Sequence, residues 1–389
     1  MIFLGIDVSK FKHNCFLSDG DNFDLGEHFE IENSREGFVF LLDKLSSYDR
    51  DNIRIGLEYT GNYHLNLSRF LLDLNFNIHF FNPFQTCLFR RADSFRNTKT
   101  DKVDAFFIAK LLKSSCDSNP TLFEFYHNYD LKSLCRYKSI LKRDRSRLKN
   151  SIVSFLDIVF PEICNVCNDV FSKYVLAILY EFSSAYEISR ANITRLSNLI
   201  RNASRGTYSK DKALVIRDAA RNSIGYFSSS VSFQLKQSID YLYFLDKKID
   251  EVNVMIKPLL DDINSPIMSI PGIGIELGPT IISEIGDINR FDSSSKLLAY
   301  VGLDPSINQS GTFHSSFSTM SKRGSSYLRD SLFKAAFIIS QIEPVFKEYY
   351  LKKKAEGKHH YVALTHVARK LVRVIFYLLK ENEVYVSKV

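Results

Sequence analysis

No stretch of this chain approaches the roughly 18 apolar residues that a membrane-spanning helix needs, and the best run, Val372 to Leu379, is interrupted by Arg373. A membrane span is therefore not expected. The start, Met1-Ile2-Phe3-Leu4-Gly5-Ile6-Asp7, has no basic region and meets an acid before a signal-length apolar core can form, so secretion is not expected either. Cysteine is sparse: Cys15, Cys87, Cys116, Cys135, Cys164 and Cys167 are scattered and form no disulfide framework, as suits a reducing compartment. Cys164-x-x-Cys167 lacks the second pair that a zinc site requires. Charge of one sign is also scarce, since 51 Lys and Arg against 44 Asp and Glu leave only +7, whose meaning depends on where it sits. What is present is a chain 45% apolar and 24% charged, which excludes disorder and collagen-like repeats and implies substantial cores. At roughly 100 to 200 residues per domain, 389 residues predict two or three domains.

The first part of the chain reads as strands followed by alternating helices and strands. Ile2 to Val8 is strand-like, Asn14 to Leu17 and His28 to Ile31 read as its hairpin partners, and Ser34 to Leu45 has helical periodicity. A strand at Asn52 to Glu58, a helix at Thr60 to Asn75, a strand at Asn77 to Phe81 and a helix from Asp101 to Ser114 complete an order, βββαβαβα, that resembles the ribonuclease H-like fold. Next, apolar residues at steps of three, four or seven run from Leu131 through Leu141 and Ile152 to Val159, until Pro161 stops them. A matching stripe from Leu235 through Leu245 to Leu259 predicts an antiparallel coiled-coil hairpin with a Ser- and Asn-rich insertion of small helices, Cys164 to Phe233, between its arms. After Pro266 a Gly-rich stretch leads to two helices, Tyr327 to Tyr350 and Tyr361 to Asn382. The expected architecture is thus α/β plus α: domain 1–118, a coiled-coil domain 119–264 and a mostly helical domain 265–389.

Four acids in the first domain carry the strongest chemical signal. Asp7 ends the first strand and Glu58 the fourth, and in a ribonuclease H-like sheet those strands are neighbours, so the two carboxylates converge. Asp101 and Asp104, three apart at a helix start, project from one face. Carboxylates so grouped repel unless cations neutralise them, the environment of a two-Mg²⁺ site that activates a nucleophile and stabilises a leaving oxygen on a phosphodiester. Singly, each acid has a blander reading as a helix-start or strand-end residue.

Gly5-Ile6-Asp7-Val8-Ser9-Lys10, Glu58-Tyr59-Thr60-Gly61 and Lys99-Thr100-Asp101-Lys102-Val103-Asp104-Ala105 resemble the Asp-Glu-Asp-Asp (DEDD) transposases of bacterial insertion sequences, relatives of the pilin-gene invertases. The resemblance implies a first domain similar to RuvC-type resolvases, with Asp7, Glu58, Asp101 and Asp104 as catalytic metal ligands. Ser283-Glu284-Ile285-Gly286-Asp287, Arg290-Phe291, Tyr300-Val301-Gly302-Leu303-Asp304-Pro305, Ser310-Gly311 and Ser321-Lys322-Arg323-Gly324 look like the second signature of the same family, in the same order. That likeness implies a serine nucleophile before a glycine, a pattern Ser310 carries, with Lys322, Arg323 and Arg329 to hold a phosphate; on chemistry alone Ser310 is a loop residue. It further implies a structured noncoding guide RNA, donor and target DNA as substrates, dimers or tetramers with shared active sites, and a nucleoid-associated place in the bacterial cytoplasm.

Ile270-Pro271-Gly272-Ile273-Gly274 reads as a helix-hairpin-helix turn in which Gly272 and Gly274 let backbone approach a phosphate, a tight packing turn being the alternative. Residues 131–150 hold Lys132, Arg136, Lys138, Lys142, Arg143, Arg145, Arg147 and Lys149 against Asp144 alone, a surplus equal to that of the whole chain. With one face apolar, these charges predict a rod that tracks a phosphate backbone, or else a solvated coiled-coil face. Arg90, Arg91, Arg96, Lys99 and Lys102 precede the paired aspartates and are placed to deliver a strand to them. Together with these charges, the family resemblance implies a recombinase that cleaves and exchanges DNA strands through a covalent serine–DNA ester. Two rivals stay open: a junction resolvase or nuclease using water with the same acids, and a non-catalytic nucleic-acid-binding protein.

Overall fold

The computed structural model describes residues 1–58, 61–81, 83–93, 100–115, 124–305, 309–310, 313–314, 320–322 and 324–387. It divides into two compact units, Met1–His127 and Asn128–Val389.

The first unit is built on a five-stranded mixed sheet of order β3-β2-β1-β4-β5, made of β1 (Ile2–Asp7), β2 (Lys12–Asp19), β3 (Glu27–Glu32), β4 (Ile53–Glu58) and β5 (Asn77–Phe81). β2 runs antiparallel to both β1 and β3, while β4 is parallel to β1 and β5 to β4, the order and sense expected of a ribonuclease H-like sheet. Alternation assigns the faces. Ile2, Leu4 and Ile6 of β1 and Ile53, Ile55 and Leu57 of β4 pack in one core with Phe38, Leu41 and Leu45 of α1 (Arg35–Leu45) and Leu67 and Leu71 of α2 (Leu65–Asp73). Phe3 and, by alternation, Gly5 and Asp7 belong to the opposite face, which is covered by Ala105, Ile108, Ala109 and Leu112.

The helix begun at Pro83, α3 (Pro83–Asp93), was not anticipated from the sequence: Pro83 sits at its first turn, where the missing N–H costs nothing. α4 (Asp101–Ser114) starts at the expected residue because the Thr100 hydroxyl accepts from the Val103 N–H. α4 rests on two directly paired glycines, Gly5 of β1 and Gly56 of β4. A Cβ on Gly5 would collide with the Ala105 carbonyl oxygen and the Ala109 nitrogen and lie 2.8 Å from Ala109 Cβ; one on Gly56 would lie 3.0 Å from Ile108 Cγ2. The helix therefore touches β1 backbone to backbone at Gly5 and meets β4 through the Ile108 and Leu112 side chains at Gly56.

The second unit is helical. Two long helices, α5 (Glu124–Val159, its first turn lying in the first unit's range) and α11 (Ser229–Ile263), flank α6 (Ile163–Val166), α7 (Lys173–Glu181), α8 (Ala185–Arg190), α9 (Ile193–Ala203) and α10 (Lys210–Arg221). Ile152, Leu156 and Val159 of α5 share a core with Leu235, Ile239 and Leu242 of α11 and the small helices; Leu131 and Leu141 share another with Leu245, Ile256 and Leu260. That pairing, early with late, means the two helices run antiparallel, and Arg145 Nε meets Asp246 Oδ1 at 2.5 Å where they cross. Then come α12 (Gly278–Ile285), α13 (Ser294–Val301), the two-residue strands β6 (Gln309–Ser310) and β7 (Phe313–His314), α14 (Ser326–Ile342), α15 (Pro344–Ala355) and α16 (His360–Glu381). The single helix expected from Tyr327 to Tyr350 is two, because Pro344 cannot continue one and instead starts the next at its first position. Among the described residues, no helix is long and apolar enough to cross a membrane.

Candidate active site

Asp7 and Glu58 end neighbouring parallel strands, one pairing step beyond Ile6 and Leu57. Each lies two residues past one of the paired glycines, so both carboxylates project from the face that α4 covers. The direction of α4 brings its start to the same end of the sheet. Near its C-terminus, Lys113 Nζ donates to the Gly20 carbonyl at 2.6 Å, and Gly20 N–H donates to the Met1 carbonyl at the beginning of β1. The first turn of α4, which bears Asp101 and Asp104, therefore lies at the end of the sheet that carries Asp7 and Glu58.

The structure adds partners that the sequence reading did not assign. On successive turns of α3, Thr86 Oγ1 donates to Glu58 Oε2 at 2.7 Å and Arg90 Nη1 pairs with Asp104 Oδ1. One helix thus holds a strand acid and a helix acid together, and the half-buried Arg90 supplies the positive charge that Asp104 needs. The signal was the i, i+4 spacing of Thr86 and Arg90 after a helix-starting proline. Asp101 is exposed at the first position of α4, where its charge complements the helix N-terminus. Lys102 is exposed; burial, then the Lys102 charge, lower the His28 imidazole below its ordinary value. The donor set suits a hard divalent cation, being carboxylate oxygens alone on adjacent rigid elements. Among the described residues, however, no three His, Cys, Asp or Glu side chains are grouped closely enough to share one ion, and the cation beside Asp104 is Arg90.

In the second unit Ser310 lies on β6, its backbone paired with Phe313 of β7. The neck of this segment is pinned: Pro305 bridges Met320, Ser321 N–H donates to the Asp304 carbonyl at 3.0 Å, Lys322 N–H to the Gly302 carbonyl at 3.1 Å, and the Ser321 hydroxyl meets the Asp304 carboxylate. Lys322 is exposed with φ +52°, and Arg329 Nη1 donates to the Val301 carbonyl at 3.0 Å. Lys99 and Arg323 lie outside the described residues. Gly272 needs to be glycine for packing: at φ +87° its missing Cβ would sit 2.7 Å from Ile338 Cγ2 of α14, whereas nothing lies within 4 Å of a Cβ on Gly274. The tight-turn alternative accounts for Gly272.

The basic rod is largely neutralised within the fold. Glu284, only 1% exposed, accepts from Arg136 Nε at 2.6 Å and Nη2 at 3.0 Å, with Lys132 Nζ at 3.7 Å. Burial raises this carboxyl's pKa, but the Arg136 hydrogen bond and the Lys132 and Arg136 charges outweigh it and hold the group below its ordinary value. Lys138 Nζ lies 3.2 Å from Glu276, which also pairs with Lys142; Arg145 meets Asp246 and Arg147 meets Asp144 at 3.4 Å. Among the described residues Arg143 has no carboxylate partner. Asp246 comes from α11, Glu284 from α12 and Glu276 from the turn before α12, all more than a hundred residues from their partners, and only Asp144 is local, which is why the local sequence shows bare charge.

A ribonuclease H-like α/β sheet with acids at its strand ends, followed by a helical unit, belongs to the class of polynucleotide-processing transposase and nuclease folds. Two family models locate it within that class: a DEDD model described as "Transposase" matches residues 4–161, and one described as "Transposase IS116/IS110/IS902 family" matches 264–351. Together they cover more than half of the chain, which belongs to the IS110-type DEDD transposase family. Over 392 residues it is 23% identical to the insertion element IS116 44.8 kDa protein of Streptomyces clavuligerus, covering 99% of this chain and 96% of that one. It is 21% identical to the pilin gene-inverting protein of Moraxella bovis over 391 residues, 100% and 98% of the two chains. A stronger but shorter likeness, 31% over 126 residues, links 32% of it to 31% of the insertion element IS110 43.6 kDa protein of Streptomyces coelicolor.

Proposed function

We propose that this transposase-family protein cleaves and exchanges DNA strands through a covalent serine–DNA ester, with the carboxylates of Asp7, Glu58, Asp101 and Asp104 holding Mg²⁺ in a RuvC-type first domain. The observation that carries the reading is the placement of Asp7 and Glu58 on one sheet face, beneath the helix whose first turn bears Asp101 and Asp104. When bound there, divalent cations would supply positive charge to the oxygens of a phosphodiester. Thr86 orients Glu58, and Arg90 holds the Asp104 side chain in place. Ser310 Oγ attacks phosphorus: the Oγ–P bond forms, the P–O bond to the departing sugar oxygen breaks, and the serine proton is released as that oxygen gains one. Attack by a hydroxyl of a different strand reverses the step and completes the exchange. Inversion, as the name of the Moraxella relative states for that protein, is strand exchange between two sites on one DNA.

On this reading the chain has three parts, divided near 118 and 264, with the helical pair as an antiparallel coiled-coil arm. The family likeness further suggests a noncoding guide RNA and dimers or tetramers whose sites combine Ser310 of one chain with the acids of another. Denaturing gels test the core of the reading. Wild-type protein with Mg²⁺ and donor DNA is expected to give covalent adducts, which Ser310→Ala abolishes, while Asp104→Asn loses strand exchange yet retains DNA binding. Adducts that persist in Ser310→Ala would refute the assigned nucleophile. RNA copurifying with protein expressed beside its flanking noncoding DNA tests the guide.

A further inference from the structure

A cavity of the second unit, about 1480 Å³, lies between faces of α5, α14 and α16 and is bordered by Leu303, Pro305, Met320 and Lys322 at the neck of the Ser310 segment. It exceeds what small-molecule sites usually occupy. Two of its acids are satisfied, Glu276 by Lys138 and Lys142 and Asp330 by Lys334 at 2.6 Å. Lys322, Arg329, Lys358 and Arg369 also line it, and none of the four has a carboxylate partner among the described residues. Arg369 Nε is buried there without a hydrogen-bond acceptor among the described residues, a donor that a bound ligand would satisfy. The concentrated charge is felt by His366 in the same wall: burial, then Lys353, Arg369 and Lys358, lower its pKa below the ordinary value.

Aromatic surfaces complete the site. Tyr361 is 67% exposed and Phe337 49% exposed, and His360 joins them, its ring 5.2 Å from Tyr361 and 6.3 Å from Phe337. Cations that follow a backbone beside exposed ring faces suit an unpaired strand, because a duplex hides its base faces within the stack. We infer that this cleft binds a single-stranded segment of DNA, its phosphates on Lys358, Arg369 and Lys322 and its bases stacked on Tyr361 and Phe337, and delivers it to the neck of the Ser310 segment. The choice of DNA rests on the strand-exchange reading above. The site itself rests on charge, the orphaned donor and the rings, and it places α16 in the DNA interface for the first time.

Fluorescence anisotropy of the full-length protein with labelled oligo-dT, oligo-U and a hairpin duplex tests it. Tyr361→Ala, at an exposed ring, is expected to weaken oligo-dT binding about tenfold, with Tyr361→Phe restoring it and duplex binding unchanged. Lys358→Gln and Arg369→Gln should each lower the slope of log affinity against log salt by about 0.7. Wild-type affinity for oligo-dT in all three variants overturns the inference. So does an equal loss on the duplex, or a loss confined to oligo-U. Adduct formation measured in parallel separates the two claims: adducts with unchanged oligo-dT binding sink the cleft alone, whereas weakened binding without adducts in the wild type keeps the cleft and sinks the serine chemistry.

Discussion

Replacing Glu284 with alanine should destabilise the second unit more than any surface change, and the structure sets the size. Glu284 is 1% exposed, Lys132 16% and Arg136 42%, so removing the carboxylate takes the shared anionic partner from a mostly buried ammonium and a partly hydrated guanidinium. Breaking a fully buried pair typically costs about 3–5 kcal/mol; with Arg136 nearly half in water, about 2–4 kcal/mol is expected. Urea unfolding at pH 7 would measure it, and a double-mutant cycle of Glu284→Ala with Arg136→Ala should give a coupling of about 1–3 kcal/mol. The pH dependence has a definite sign. The folded-state pKa lies below the ordinary 4.5, so the stability supplied by the charge is present above that value and lost as pH falls through the lower, folded-state pKa. The gap between wild type and Glu284→Gln should therefore close in acid. A Glu284→Ala variant within about 0.5 kcal/mol of wild type at pH 7, or a gap that widens in acid, would refute the argument.

Gly5→Val should cost about 3 kcal/mol or more in thermal melts, because it drives α4 off the sheet, while Gly274→Ala, with open space around it, should be close to neutral; equal effects would deny that α4 is seated on Gly5. Arg90→Ala removes the cation that now sits on Asp104, so Mn²⁺ binding by titration calorimetry should tighten about tenfold, and unchanged affinity would separate Arg90 from the metal site. Arg143→Glu should lower the salt slope of duplex binding by about 1, whereas Arg136→Glu should chiefly lower stability through Glu284; the opposite pattern would make Arg136 the DNA contact.

The first unit was readable because local rules there agree with the global fold. Ile2 to Asp7, Asn77 to Phe81 and Asp101 to Ser114 form the expected elements almost residue for residue, each bounded by a cap, an acid or an apolar run of the right length. Asp7 and Glu58 could be paired in advance because sheet order and side-chain alternation suffice to do so. What escaped was set by distant partners. Thr86 and Arg90 acquire meaning only when α3 folds against the acids, and the partners of Arg136 and Lys142, Glu284 on α12 and Glu276 in the turn before it, are brought to them only by the fold. Pro344 was misjudged for a different reason: a proline that ends one helix can equally start another, and the sequence around it is helical on both sides.

The glycine pair beneath α4 bears on how such a protein can change over time. Where a helix is spaced from a sheet by side chains, every exchange of a larger for a smaller residue moves it and whatever it carries. Here the spacing between the strand that bears Asp7 and the helix that bears Asp101 and Asp104 is set at Gly5 by contact with the α4 backbone itself, which mutation elsewhere in the core does not resize. Volume changes on the opposite face, packed by Leu4, Ile55, Leu41 and Leu71, are thus separated by the sheet from the contact that seats α4 beside the strand of Asp7.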